Sequence, residues 1–159
     1  MSDSDLFARL RKEGKLKLVE PSEELKEAYF RKSESHLASA KLLLDHGRLE
    51  EAVSMAYYSM YHALTALLFR VGIKCENHAA AITLLKKVFN IDNSDISMAR
   101  RERVDKQYYI DFHITEEEVR ELIQIAERFN SKILDFAERL TNEKISGFRR
   151  RAKNLLGGK

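Results

Sequence analysis

The sequence holds one cysteine, one proline, no tryptophan and only six glycines. Each scarcity excludes something. A lone cysteine, Cys75, cannot form an internal disulfide, and it suits a reducing cytoplasm, the compartment expected here. So little proline and glycine leaves little turn chemistry, which points to a mostly helical protein. Nowhere do about 18 apolar residues run uninterrupted, so no membrane span is expected. The start, MSDSDLFARLRKEGKLK, lacks the apolar run of a signal peptide. There is no glycine-rich phosphate loop and no Cys/His set at metal-ligand spacing, so neither a cofactor nor a metal is expected. Charge of one sign does not dominate either. The 28 basic and 25 acidic residues leave a net charge of +3, too mild to imply nucleic-acid binding by itself.

What is present is helical patterning. A chain of 159 residues reads as one domain, large enough to bury a core unaided. Residues 1–20 form a charged leader with a short helix around Asp5–Lys12. Residues 21–142 form a helical bundle, and residues 143–159 a basic tail. Pro21-Ser22 opens the first long helix and Gly47 stops it. Its stripe is Leu25, Ala28, Tyr29, Leu37, Ala40, Leu43 and Leu44, with His36 a half-buried packing residue on the same side. The second helix runs from about Leu49 to Val71, ending at Gly72. Apolar or aromatic side chains occupy nearly all of its circumference, which is the mark of a buried helix. Small residues at Ala52, Ala56, Ser59, Ala63 and Ala66 allow neighbouring helices to approach closely. That excess of apolar surface predicts dimerisation. A third helix spans about His78 to Phe89. The Thr115…Glu118 capping box opens the most regular helix, whose seam from Val119 to Leu140 packs on helices one and two. The expected fold is all-α: an antiparallel up-and-down four-helix bundle with an extra short helix, homodimeric.

One segment breaks the pattern. A fourth helix, capped by Asn93 or Ser94 and running to about Gln107, has Ile96, Ala99, Arg100, Arg103 and Gln107 on one face. An inward stripe that turns from apolar to cationic is costly to bury unless something anionic meets it. Such a local conflict marks a candidate functional site. A second run of cations follows Glu143: Lys144, Arg149, Arg150, Arg151, Lys153 and Lys159. It reads either as a solvated helix face and frayed tail or as a phosphate contact.

The lead-in VEPSEELKEAYFRKSESHLASAKLLLDHG, the helix EEAVSMAYYSMYHALTALLFRVGI, the segment CENHAAAITLLKKVF and the run RVDKQYYIDF before the capped last helix together resemble the HEPN family, in its stand-alone archaeal and bacterial form. The resemblance covers about Glu20 to Leu140. It implies a helical homodimer that pairs with a minimal nucleotidyltransferase in toxin–antitoxin systems. It also implies metal-independent RNA cleavage by an arginine followed, four to six residues on, by a histidine, presented by both protomers across the dimer groove. In some such pairs the transferase adds AMP to a tyrosine beside that motif. Here Arg103 matches the arginine, but the histidine position holds Tyr108, and His113 lies outside the spacing.

Metal-free cleavage needs a base for the 2′-hydroxyl, an acid for the leaving oxygen and a cation on the phosphorane. Arg103 suits the last role through its planar fork. Tyrosine, with a reference pKa of about 10, is a poor base at neutral pH. His78, at a helix start that favours anions, is the substitute, with a neutral imidazole acting as base. The other reading of His78 is that it caps and packs. His62 reads as a buried histidine hydrogen-bonded within the bundle or at the dimer seam, Tyr57, Tyr58 and Tyr61 as core and interface, and Cys75 as an inert loop thiol. The candidate catalytic residues are therefore Arg103, Tyr108 and His78. The candidate RNA or nucleotide contacts are Arg100, Arg103, Lys106 and Tyr109, with Tyr108 or Tyr109 as AMP acceptor. Three functions remain in play: a module that binds RNA or nucleotide phosphate and docks a nucleotidyltransferase, an active ribonuclease toxin, and an inert scaffold.

Overall fold

The computed structural model describes residues 2–108 and 113–157, the side chains of 105–108 excepted. Among the described residues the chain forms α1 (Asp3–Lys12), β1 (Leu16–Leu18), α2 (Glu23–Asp45), α3 (Leu49–Val71), β2 (Ile73–Cys75), α4 (His78–Phe89), α5 (Ser94–Tyr108), α6 (Glu116–Glu138) and α7 (Asn142–Leu155). The fold is all-α, as the sequence leads one to expect, with one small addition. β1 and β2 pair antiparallel, Leu16 opposite Cys75 and Leu18 opposite Ile73. Cys75 therefore stands in a strand rather than a loop. No helix among the described residues is long and apolar enough to cross a membrane.

The hub is α3, which touches α2, α4, α5, α6, α7 and β2. Its small residues Ala52, Ala56, Ser59, Ala63 and Ala66 are all buried, so its neighbours approach closely. α6 covers α3 and α2 with Val119, Leu122, Ile123, Ala126, Phe129, Ile133 and Ala137, the seam expected from its period. The Thr115 hydroxyl accepts from the Glu118 amide at 3.1 Å and caps it.

Two expectations need correction. The buried line of α2 is Lys26, Phe30, Ser33, Ala40 and Leu44, whereas Leu25 is 40% exposed and Leu42 61%. Tyr29, Leu37 and Leu43 still pack half-buried against the core, so the expected stripe fails only at Leu25, while Lys26 enters because it is satisfied. Its ammonium pairs with Glu23 and, at 2.9 Å, with Glu138 of α6. Ser33 is likewise buried, donating to the Ser59 carbonyl at 2.7 Å.

Of the cations after Glu143, Lys144, Arg149, Arg150, Arg151 and Lys153 lie in α7, a helix docked through Ile145, Ala152 and the following Leu156 rather than a frayed tail, and Lys159 lies outside the described residues. Arg149 Nη1 donates to the Val19, Val71 and Gly72 carbonyls at 2.7, 3.0 and 3.1 Å. Arg151 Nη1 donates to the Val88 carbonyl at 2.7 Å. The Val71 and Val88 carbonyls lie in the last turns of α3 and α4, where positive charge is favoured, and the Gly72 carbonyl accepts from the Val19 amide as well. Gly72, at φ 86°, is left-handed, and a Cβ there would collide with the Arg149 guanidinium and the Val19 carbonyl.

Candidate functional site

Three elements converge on one cluster of aromatic, imidazole and guanidinium groups. The left-handed Gly72 ends α3, and β2 turns the chain back beside it. Asn77 then caps α4, its side-chain oxygen accepting from the Ala80 amide at 2.9 Å. The cap is therefore Asn77, and His78 begins the helix proper, facing α3. There the Tyr61 ring stacks on the His78 ring, with centroids 3.8 Å apart and planes 11° from parallel. Tyr58 meets it edge-on at 6.4 Å. Tyr57 Oη and His78 Nδ1 lie 2.7 Å apart.

That last contact has a direction. Tyr57 is fully buried, and burial is the main force pushing its phenol well above the ordinary tyrosine range, against a smaller pull from Arg100 and Arg103. The phenol keeps its proton, and because His78 Nδ1 is the one hydrogen-bond partner of the Tyr57 hydroxyl among the described residues, the O–H donates to Nδ1 and the hydrogen of a neutral His78 sits on Nε2. Burial, seconded by Arg100 and Arg103, pulls the His78 pKa down, so the ring is neutral at pH 7. Its helix-start position works in the same sense. The Tyr61 phenol is pushed up to about 12, first by burial.

α5 brings the cations. Ile96 and Ala99 are fully buried, and Arg100 and Arg103, next on the same face, are half-buried. The inward stripe does turn from apolar to cationic. The Arg103 guanidinium carbon sits 4.9 Å from the Tyr58 ring centroid, a cation–π arrangement. Its Nε is buried and has no hydrogen-bond partner among the described residues. A buried guanidinium N–H without an acceptor is costly and is relieved by an anion.

A second aromatic strip continues from the cluster along α3 and α2. The His36 and His62 rings lie 4.7 Å apart, Tyr29 stands 5.9 Å from His62, and Tyr29 stacks on Phe69 at 5.3 Å. His36 Nδ1 is 2.8 Å from the Lys32 carbonyl. Of the two places expected for the His62 hydrogen bond, the bundle supplies none at Nδ1 among the described residues. His62 is half-buried. Burial first, then His36, Lys32 and His78, hold its pKa down to about 4.

Of the residues singled out from sequence, Arg100, Arg103 and His78 come together. Tyr108 ends α5, but its side chain and that of Lys106 lie outside the described residues, as does Tyr109 altogether. His113 is exposed and lies instead beside Gly47, Arg48 and Glu51. Sequence reading placed Tyr57, Tyr58 and Tyr61 in the core and interface, and gave packing on helix two as one reading of His78. Tyr57 is in the core, and its hydroxyl also meets His78, a hydrogen bond that the spacing on one helix does not reveal. Cys75 donates to the Asn77 carbonyl at 3.4 Å, and burial pushes its thiol up, away from reactivity. Among the described residues no group of three or more His, Cys, Asp or Glu side chains is arranged to hold a metal ion.

Comparison with known proteins fits this picture. A family model described as HEPN domain matches residues 26–144. A UPF0332 protein of Pyrococcus horikoshii is 43% identical over 58 residues, 36% of this chain and 41% of that protein. A Methanocaldococcus jannaschii protein named "Putative toxin MJ0605" is 29% identical over 108 residues, 64% of this chain and 80% of that protein. A UPF0332 protein of Thermotoga maritima is 31% identical over 67 residues, 42% of this chain and 51% of that protein.

Proposed function

The chain belongs to the HEPN family, and from that premise we propose that it is a toxin-type HEPN protein which binds RNA or nucleotide phosphate through Arg103, Arg100 and His78. The name of the Methanocaldococcus relative supports the toxin class. The observation that carries the binding role is the buried, unpartnered Arg103 Nε beside the Tyr58 ring. In this role Arg103 clamps a phosphate, Arg100 adds charge, and His78 donates one hydrogen bond from Nε2 while Tyr57 fixes its orientation. Lys106 and Tyr109 extend the contact along the strand. By family resemblance the site lies in a groove between two copies, a minimal nucleotidyltransferase docks on the dimer, and Tyr108 or Tyr109 accepts AMP from it. The half-buried strip of Tyr29, His36, His62 and Phe69 is the dimer surface of this proposal.

Binding is favoured over cleavage by the proton inventory. A base for the 2′-hydroxyl is what the described cluster lacks. His78 spends its lone pair on Tyr57, the Tyr57 and Tyr61 phenols are held protonated, and His62 at about 4 is a weak base. In this reading His78 serves as a hydrogen-bond donor, and the base role belongs to the ribonuclease alternative. Ribonuclease activity would then depend on Tyr108. Incubating purified protein with total RNA and a chelator, beside Arg103→Ala, separates the readings. Intact RNA with both proteins favours the binding module, and cutting by the parent alone establishes the ribonuclease.

A further inference from the structure

Away from that cluster, a cavity of about 410 Å³ opens where α6 ends and α7 begins. Its floor is apolar: Ile91, Phe136, Leu140 and Phe148. Phe89 backs the floor, with ring centroids 5.0 Å from Phe148 and 5.9 Å from Phe136. Its rim is cationic: Lys132, Arg139 and Lys144, against the one carboxylate of Asp135. Arg139 already holds that carboxylate at 3.2 Å. Neither Lys132 nor Lys144 makes a salt bridge among the described residues. The nearby Asp92 carboxylate, which feels Lys132 and Lys86, is itself held by Ser94 at 2.7 Å. Glu143, in the first turn of α7, is exposed.

We propose that this cavity is a binding site for a small amphiphilic organic anion, an apolar ring or short chain carrying one carboxylate or phosphate. Two features meet here, and such a ligand suits both. An open aromatic floor leaves apolar surface in water. The rim carries three cations against one carboxylate, so its charge is positive on balance. An apolar body on the phenylalanines with its anionic head toward Lys132 and Lys144 covers the one and neutralises the other. The volume falls within the range of small-ligand pockets, roughly 300–1,000 Å³. The Phe136 and Phe148 rings, 46° from parallel with centroids 5.8 Å apart, offer apolar faces and edges to such a body. Bare phosphate finds no apolar complement here, and an apolar amine meets the wrong charge.

The test uses the full chain with isotope-labelled Ile and Leu methyl groups and two probes of equal bulk, 1-naphthaleneacetate and 1-naphthylmethylammonium. The acid is expected to shift the Ile91 and Leu140 methyl signals with a Kd on the order of a millimolar or tighter, near the ligand-efficiency expectation for its size. The amine is expected to bind at least about tenfold more weakly, as is the acid to a Lys132→Glu, Lys144→Glu double variant. Both substituted positions are exposed, and an unchanged methyl spectrum away from the cavity shows that the variant folds. Equal binding of acid and amine, unchanged binding by the double variant, or shifts confined to residues around His78 would each overturn the proposal.

Discussion

Tyr57 shows how one hydroxyl sets the chemistry of its neighbour. Its O–H holds Nδ1 of His78, and the stacked Tyr61 ring holds the imidazole plane. In Tyr57→Phe the imidazole loses its fixed tautomer, and its buried Nδ1 loses a partner at a cost of about 1–3 kcal/mol. Nitrogen NMR of His78 should change from one neutral tautomer in the parent to a mixture in the variant, and RNA affinity should fall several-fold. His62 carries a pH signature of its own. Its folded pKa of about 4 lies below the ordinary 6.5. The unfolded chain therefore binds more protons between those values, and stability falls as pH drops from 6.5 toward 4. Each unit of such a shift is worth about 1.4 kcal/mol when fully expressed, and partial exposure of the ring leaves on the order of 1–2 kcal/mol in all. Thermal melts across that window should decline more shallowly for His62→Asn than for the parent. Equal slopes would assign the decline to other groups.

Among the elements, those with a single strong signal were readable and those built from distant partners were not. The bounds of α3 and α4 follow from Gly72, Asn77 and the apolar period, and α6 follows from its capping box. The cationic turn in α5 was equally visible in Arg100 and Arg103. The burial of Lys26 in α2 was missed because a binary pattern scores it as polar, while a carboxylate that admits it, Glu138, comes from α6. β1 and β2 have three residues each, too few to show alternation. α7 hid behind its charge, since the acceptors of Arg149 and Arg151 are backbone carbonyls that no side-chain pattern reveals. Arg149 is accordingly structural. Arg149→Met keeps the stem but strips the Val19 and Val71 carbonyls of this donor, the Gly72 carbonyl keeping the Val19 amide, which should cost about 2–3 kcal/mol and lower Tm by about 5–10 °C. RNA affinity should stay at the parental level. A loss of affinity without loss of Tm would restore the phosphate reading of the tail.

For the whole molecule, the site is half of something in the proposed account. The strip of Tyr29, His36, His62 and Phe69 runs on from the Tyr58–Arg103 contact, so a second copy seated there would bring two Arg103 side chains to one groove. Sedimentation at micromolar concentration should give a dimer for the parent and a monomer for a Tyr29→Glu, Phe69→Glu variant. A monomeric parent would remove the shared groove. The anion-binding role itself is tested most directly by fluorescence anisotropy of a labelled single-stranded RNA, titrated with parent and Arg103→Ala between about 50 and 200 mM salt. The account predicts binding that weakens steeply with salt in the parent. In the variant it predicts at least about tenfold weaker binding and a salt slope shallower by about one. Identical affinity and slope for the two proteins would contradict it.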